Sequence, residues 1–416
     1  MSTVANMKNK TETREGYKKT ELGWLPKEWA EINLGSLCQV TAGGTPSTTK
    51  AEYWGGHIPW MNSGEINLKQ IYDVAGRITK LGLDNSSTKL LPKNCVLIAL
   101  AGQGSTRGKV AINRIELCTN QSIAAYIVSS NNLDFEFLYH NLASRYNELR
   151  LISSGNETRG GLNLTILRSV KIYLPPLPEQ EKIAEILSCW DQAIETMEKL
   201  ITAKIKLKKA LMKRLLTPKP HWGVIKVSEL GEVVTGCTPN TQINEFYENG
   251  DKPWVTPIDL DKKKYINNTK TKLTKTGFKE TRILPAKSIL ITCIGSTIGK
   301  VGLSCTELST NQQINSIICK GNFDAEFYYY AICKIAKFIK YLATEHAVPI
   351  CNKTQLSNFL LPQPEYKEQK KIAEILSCWD QAINLYRQNL ELIKNQKKGL
   401  LQRLMTGSIR VTIKEC

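Results

Sequence analysis

The sequence predicts a mixed α/β chain: two globular α+β domains separated by two long helices that pair as an antiparallel coiled coil, built as a pseudo-two-fold repeat. Three observations carry this. KIAEILSCWDQAI occupies residues 182–194 and again 371–383, identical at all 13 positions with an offset of 189. Around both copies apolar residues recur every 3.5 residues, the period of a coiled coil. Ahead of both copies, short β-branched runs alternate with helix-patterned stretches. The expected organisation is a flexible polar tail at 1–20, domains at 21–176 and 218–362, helices at 177–217 and 363–406, and a tail at 407–416.

Self-comparison carries the repeat well beyond the helices. Trp29 and Leu37 match Trp222 and Leu230, TAGGTPS (41–47) matches TGCTPN (235–240), and Pro59-Trp60 matches Pro253-Trp254. Leu91-Pro92 recurs as Leu284-Pro285, GSTRGKV (104–110) as GSTIGKV (295–301), and Asn120-Gln121 as Asn311-Gln312, each pair 191 to 194 residues apart. Each copy is thus a divergent block of roughly 150 residues followed by a strongly similar block of about 40. The shared Asn-Gln pair fits a structural role better than sequence reading.

In the divergent blocks, CVLIAL (95–100), SIAAYIV (122–128), SILITCI (288–294) and INSIIC (314–319) are apolar runs bounded by Gly, Pro, Asn and Ser, as strands are. FEFLYHNLAS (135–144) and AEFYYYAICKIAKFIKYLA (325–343) have helical apolar spacing. The strand order stays open.

In the similar blocks, alternate steps of four and three from Ile183 reach Leu187, Trp190, Ile194, Met197, Ile201, Lys204, Lys208, Leu211 and Leu215, eight of ten apolar. The same walk from Ile372 to Leu404 is apolar at nine of ten, Lys397 being the exception. Each helix follows a proline-rich stretch, LPPLPEQ (174–180) or LPQPEYKEQ (361–369), which bars helix upstream and puts carboxylates near the positive N-terminal end. An ordinary amphipathic helix packed on its own domain is the alternative, but the seam is narrow and long, and two such seams can bury each other. At ~1.5 Å per residue, Ile183 to Leu215 makes a rod of ~50 Å, with the two domains expected at its opposite ends.

Composition narrows the function. The 56 Lys and Arg against 38 Asp and Glu leave +18, an excess that repels itself unless a polyanion is present. Nucleic acid fits best, with a merely soluble basic protein or one that binds an acidic membrane surface as the alternative. Twelve cysteines without regular spacing, a C-x-x-C or a secretory segment read as reduced thiols of a cytoplasmic protein. His57, His140, His221 and His346 lack the spacing of a metal site, and no apolar run approaches the ~20 residues that span a bilayer. GSTRGK and GSTIGK fail as phosphate-binding loops, because three residues rather than four separate the glycines and valine follows the lysine; a tight turn bearing an exposed cation is expected. Glu365-Tyr366-Lys367 has no nearby partner aspartate for a nuclease, and no nucleophile elbow, H-E-x-x-H or dinucleotide fingerprint occurs. The chain reads as a binder without a cofactor, an enzyme with a dispersed active site being the alternative.

EQEKIAEILSCWDQAI, QKKGLLQRLMTGSIRV and the opening LGWLPKEW (22–29) together resemble the specificity subunit of type I restriction-modification systems, from about Tyr17 to Val411. The one departure is Pro218, which stands at the first helix exit where the second has Gly407. The resemblance implies that 21–176 and 218–362 are target recognition domains, each reading half of a bipartite double-stranded DNA site. The helices would act as spacers and dock two methyltransferase subunits, which bind S-adenosylmethionine, while a separate motor and endonuclease (restriction) subunit translocates and cuts. This chain would itself be non-catalytic. A DNA-bridging architectural protein, needing no second polypeptide, is the rival reading.

Arg107, Lys109 and Lys300, on equivalent turns, are the expected phosphate contacts. Base readers are expected where the domains differ, because Arg suits guanine and Asn or Gln adenine. Ahead of the first helix these are Asn156, Arg159 and Asn163; ahead of the second, His346, Asn352 and Lys353. For each, a solvated loop residue is an equal reading. Partner docking is expected on outward helix residues: Glu179, Gln180, Asp191 and Gln192, with Glu368, Gln369, Asp380 and Gln381. Trp190 and Trp379 fall on the seam and belong to the core.

Overall fold

A strand sends successive side chains to opposite faces, so a strand that is apolar throughout must lie between two cores. The computed structural model describes residues 15–20, 23–102, 106–152, 161–261, 264–343 and 350–412. The chain forms two compact units, Met1–Thr196 with Leu390–Cys416, and Met197–Asn389.

In the first unit a five-stranded sheet runs in the order Cys38–Ala42, Ile123–Val128, Val96–Ala99, Val110–Asn113, Gln70–Ile71. Its neighbours are antiparallel except the last pair, which is parallel. Val96, Ile98, Val110, Ile112 and Tyr126 enter one core. Leu97, Ala99, Ala111, Ile123 and Ala125 enter a second, which takes Met61 from a three-stranded sheet of Cys118–Thr119, Trp54–Met61 and Gly76–Ile78. This explains the unbroken apolar run of CVLIAL. The first core also takes Phe137, Leu138 and Leu142 of the helix Phe135–Ser144. The N-cap of that helix is Asp134, whose Oδ1 accepts from Phe137 N at 2.7 Å.

The second unit has the same strand order, Gly231–Thr235, Ile314–Cys319, Ile289–Thr292, Val301–Ser304, Tyr265–Ile266, with the same strand directions. Its own helix, Ala325–Ala343, fills the range its apolar spacing predicts. The repeat in sequence is therefore a repeat in topology, although the turns and loops differ.

The long helices run Leu177–Leu215 and Tyr366–Met405. In the first unit, Ile183 and Leu187 near the start of one share a core with Leu400, Leu401, Leu404 and Met405 near the end of the other, so the segments are antiparallel. In the second unit, Leu211, Met212 and Leu215 meet Ile372, Ala373 and Leu376 in the same way. Every seam position named from the 3.5-residue period is buried or half-buried, including Trp190 and Trp379. Leu187 and Leu376 are both fully buried, at equivalent places in their units.

Two expectations at the chain ends need correction. Within the expected flexible stretch 1–20, Tyr17–Thr20 is a strand paired with Gly23–Pro26, and the Tyr17 hydroxyl donates to the Gly407 carbonyl at 2.9 Å. Residues 1–14 lie outside the described residues. The expected tail from 407 is also tied down: Ile409 and Val411 pack on the first core and Arg410 is ion-paired to Glu179. Polar, apolar and charged partners supplied by distant segments hold Tyr17 and residues 409–411. Among the described residues no helix is long and apolar enough to cross a membrane.

Candidate functional site

The glycine-lysine turns are hairpin turns. Gly108 and Gly299 have φ of +82° and +87°, a conformation that a side chain disfavours. Their N–H groups donate to Ala99 and Thr292 carbonyls at 2.9 and 3.0 Å, closing the turn onto the preceding strand. No helix N-terminus follows to hold a phosphate. The lysines are less exposed than expected: Lys109 is half-buried and donates to Asn67 Oδ1 at 2.6 Å. Lys300 lies 3.5 Å from Asp261 Oδ1, a loose pair with the lysine side chain 30% exposed. Arg107 is half-buried on the first turn.

Two of the expected base readers are helix caps. Asn163 Oδ1 accepts from Ile166 N at 2.9 Å, starting the helix Leu164–Ser169. Asn352 Oδ1 accepts from Gln355 N at 2.8 Å, starting the helix Lys353–Ser357, and Gln355 returns a bond to the Asn352 N–H. The two asparagines are 189 apart, so they belong to the repeat rather than to what distinguishes the two domains. Lys353 is exposed in the first turn after its cap. Asn156, Arg159 and His346 lie outside the described residues.

Other shared motifs are structural as well. Asn120 and Asn311 accept from the N–H groups of Ser122 and Gln313 at 3.1 and 3.2 Å. Trp60 and Trp254 donate to the carbonyls of Gly44 and Cys237 at 3.0 and 3.1 Å, which ties each Pro-Trp pair to its T-P turn. A Cβ on Gly43 or Gly236 would fall 2.2 Å from a backbone oxygen of the Thr-Asn strand end.

On the long helices the expectation of outward docking residues is largely overturned. Glu179 is 1% exposed and accepts from Trp29 Nε1 at 3.0 Å and from Arg410 Nε at 2.7 Å. Its counterpart Glu368 accepts from Trp222 Nε1 at 2.9 Å and pairs with Lys219. Gln180 is fully buried: its Oε1 accepts from Asp134 N at 3.0 Å and its Nε2 donates to the Pro175 carbonyl at 2.8 Å. Gln369 repeats both bonds, with Asp324 N at 2.9 Å and the Pro364 carbonyl at 2.8 Å. The Glu-Gln pair therefore pins each helix start to its own domain. A helix start buried against a sheet needs polar partners, and this requirement alone explains the pair. Of the eight expected residues, Gln192 and Gln381 are exposed.

Asp191 and Asp380 are half-buried and join the helices to each other. Lys397 is ion-paired to Asp191, and Lys208 to Asp380. Those lysines were exceptions in the apolar seam, and the aspartates of the identical stretch are their partners. Lys204, the remaining exception, sits over the rings of Trp379 and Tyr386, 5.6 and 4.7 Å from their centroids.

A network that the sequence reading missed continues from these aspartates into each domain. In the first unit Arg114 donates to Glu136 Oε1 at 2.7 Å, Ser188 to Glu136 Oε2 at 3.1 Å, and His140 Nε2 lies 3.1 Å from Ser188 Oγ. His140 Nδ1 is 3.8 Å from Asp191, yet burial, with Lys397 nearby, pushes its pKa down to about 4, so the ring is neutral. In the second unit Lys264 donates to Glu326 at 2.7 Å and to Ser377 at 2.6 Å, and the hydroxyl of Tyr330, which replaces His140, donates to Asp380 at 2.6 Å. Lysines interrupting an apolar seam were the available signal, since a buried cation demands an anion. Arg114 and Lys264 come from different loops and left no pattern.

Two domains of one topology, differing in their loops and carried on one duplicated helix pair, define a tandem-repeat α/β protein. The chain matches the family model described as type I restriction modification DNA specificity domain twice, over residues 26–207 and 220–395, and it belongs to that family. The type I restriction enzyme MjaIX specificity subunit of Methanocaldococcus jannaschii is 25% identical over 426 residues, covering 95% of this chain and 96% of its own length. The HindI specificity subunit of Haemophilus influenzae is 30% identical over 197 residues, 45% of this chain and 42% of its own length. Among solved structures, the S subunit of a type I restriction-modification system from M. genitalium matches with a TM-score of 0.59 at 18% identity, over 90% of this chain and 96% of that one. A chain from a structural study of assembly and conformational transition in the type I system also reaches 0.59, at 14% identity, over 92% of this chain and 99% of that one. Likenesses at this identity bear on the fold alone. The chain is a specificity subunit with DNA-recognition domains, as the resemblance of its motifs implies.

Proposed function

We propose that this chain is the non-catalytic, sequence-reading subunit of a cytoplasmic complex, in which residues 21–176 and 218–362 each read one half of a bipartite duplex site. The helices at 177–217 and 363–406 are the platform on which two methyltransferase subunits assemble, joined by restriction subunits in the full complex. The observation that carries this reading is the contrast within the chain: the two helices share a stretch identical at 13 positions, 182–194 and 371–383, and the domains they carry share a topology but diverge in sequence. An identical stretch on each helix suits identical partners, and unlike domains suit unlike half-sites. The net charge of +18 supplies attraction to the phosphate backbone, with Arg107, Lys109 and Lys300 as candidate contacts and the exposed Lys353 as a candidate base reader.

Co-expression with the neighbouring methyltransferase, followed by genome-wide mapping of methylated adenines, tests it. One bipartite motif with a fixed unread spacer is expected. Methylation without sequence preference, or a single undivided motif, would refute it.

A further inference from the structure

We infer that Cys293 and Cys351 are an oxidation site: a facing pair of thiols, present in the second unit alone, that hydrogen peroxide closes to a disulfide bracing that unit. The reading of the chain as a DNA-binding subunit makes no use of these thiols.

Ile294 and Ile350 form an isolated antiparallel bridge, which puts Cys293 directly opposite Cys351. The Cys351 N–H donates to the Cys293 carbonyl at 2.8 Å, so this is a hydrogen-bonded pair with both side chains on one face. Such pairs have Cα atoms ~5.5 Å apart, inside the window of ~4.4–6.8 Å that a disulfide spans. A thiol–thiol hydrogen bond already joins the side chains, which are 1% and 3% exposed in the second core. The duplication supplies the contrast. In the first unit the Leu162 N–H donates to the Leu100 carbonyl at 3.2 Å, and both leucines are buried in the first core. An apolar pair therefore suffices to pack this place, and the fold does not require two thiols there.

The pair is asymmetric. Donation from the Cys293 S–H to the Cys351 sulfur holds Cys351 below the ordinary thiol range, and the same bond, with burial, lifts Cys293 well above it. Cys351 is thus the nucleophile and Cys293 the resolving thiol. The Cys351 thiolate attacks one peroxide oxygen, the O–O bond breaks, and the departing hydroxide takes up the proton that Cys351 gave up on ionising. Cys351 is then a sulfenic acid. The Cys293 sulfur attacks the Cys351 sulfur, the S–O bond breaks, and the second hydroxide leaves as water with the Cys293 proton. Two thiols have lost two electrons and two protons, and peroxide has become two waters. Peroxide is small, and the single bridge beside the thiols ends at Ile350, itself 37% exposed, so a brief local opening admits it. In a reducing compartment, exchange with small thiols returns the pair to its resting state. The closed bond makes a loop of roughly 60 residues, which restricts the unfolded chain and so raises stability.

The test treats the full chain, fully reduced and freed of reductant, with hydrogen peroxide at neutral pH. Peptide mapping without reductant should find Cys293 joined to Cys351, the pair lighter by two hydrogen atoms, and dithiothreitol should separate them again. The melting temperature of the second unit should rise by roughly 5–15 °C on oxidation and fall back on reduction. Cys351→Ala, and Cys351→Leu, which brings in the residue of the first unit, should show neither the joined peptides nor the rise. Mapping of the unaltered chain decides the point even where a variant folds poorly. Peroxide that oxidises the exposed Cys189, Cys305 and Cys378 while Cys293 and Cys351 stay free thiols overturns the site. Joined thiols without a rise in melting temperature, or a rise that persists in both Cys351 variants, overturn the brace.

Discussion

Replacing Arg410 with alanine should destabilise the first unit by about 3 kcal/mol, although the residue lies six positions from the chain end. Glu179 is 1% exposed and holds three bonds, from Arg410 Nε at 2.7 Å, Arg410 Nη2 at 3.0 Å and Trp29 Nε1 at 3.0 Å. Without the guanidinium, a buried carboxylate is left with one neutral donor. Breaking a buried pair by removing one partner costs ~3–5 kcal/mol. The Arg410 side chain is 39% exposed, so water entering the vacated space puts the estimate at the lower end of that range. For a unit of this size ~3 kcal/mol corresponds to a fall in Tm of roughly 6–12 °C. Glu179→Gln supplies the control, because glutamine can still accept from Trp29 and carries no charge. On that background Arg410→Ala should cost less than ~1 kcal/mol, the difference being the coupling of the pair. Urea unfolding followed by tryptophan fluorescence reads both variants. An Arg410→Ala penalty under ~0.5 kcal/mol, or the same penalty on both backgrounds, would refute the reasoning.

His140 makes the first unit sensitive to acid. Its folded pKa of about 4 lies below the unfolded value of ~6.5, so its contribution is fully present above pH ~6.5 and is lost as pH falls towards 4, roughly 3 kcal/mol in all; His140→Gln should flatten this part of a stability-versus-pH curve. Asn163→Ala and Asn352→Ala should each cost ~1 kcal/mol of stability through loss of a helix cap and leave the methylated motif unchanged, which sequencing of modified DNA would check. Gly236→Ala should cost ~2–3 kcal/mol in urea melts, because the added methyl would lie 2.2 Å from the Asn311 carbonyl oxygen. Gly321→Ala, where a Cβ meets nothing within 4 Å, is the matched control and should stay near neutral.

Much of this molecule was legible before any coordinates. The 3.5-residue seam located both long helices, because burying one narrow face of a helix requires apolar residues at that period and no other. The strand at CVLIAL was legible for a similar reason: a strand between two cores cannot alternate, and an unbroken apolar run records that. The offset of 189 showed that whatever one half does the other repeats. The family resemblance followed from the same motifs.

The polar residues were misread, and the cause is physical. Glu179, Gln180, Gln369, Asn163 and Asn352 are polar, repeated and close to the predicted edges of domains, so in sequence they look like recognition surface. A carboxylate or amide looks the same in sequence whether it faces water, a partner or a buried backbone N–H, because the difference lies in what other segments bring within 3 Å. Here Arg410 comes from the far end of the chain to Glu179, and Asp134 N–H meets Gln180 across 46 residues. Sequence by itself determined the periodicities, the duplication and the charge, since each is a property of neighbours along the chain or of a simple sum. Only the tertiary structure decided which repeated residues are spent inside the fold and which, Gln192 and Gln381 among them, stay exposed, because burial depends on what distant segments bring alongside.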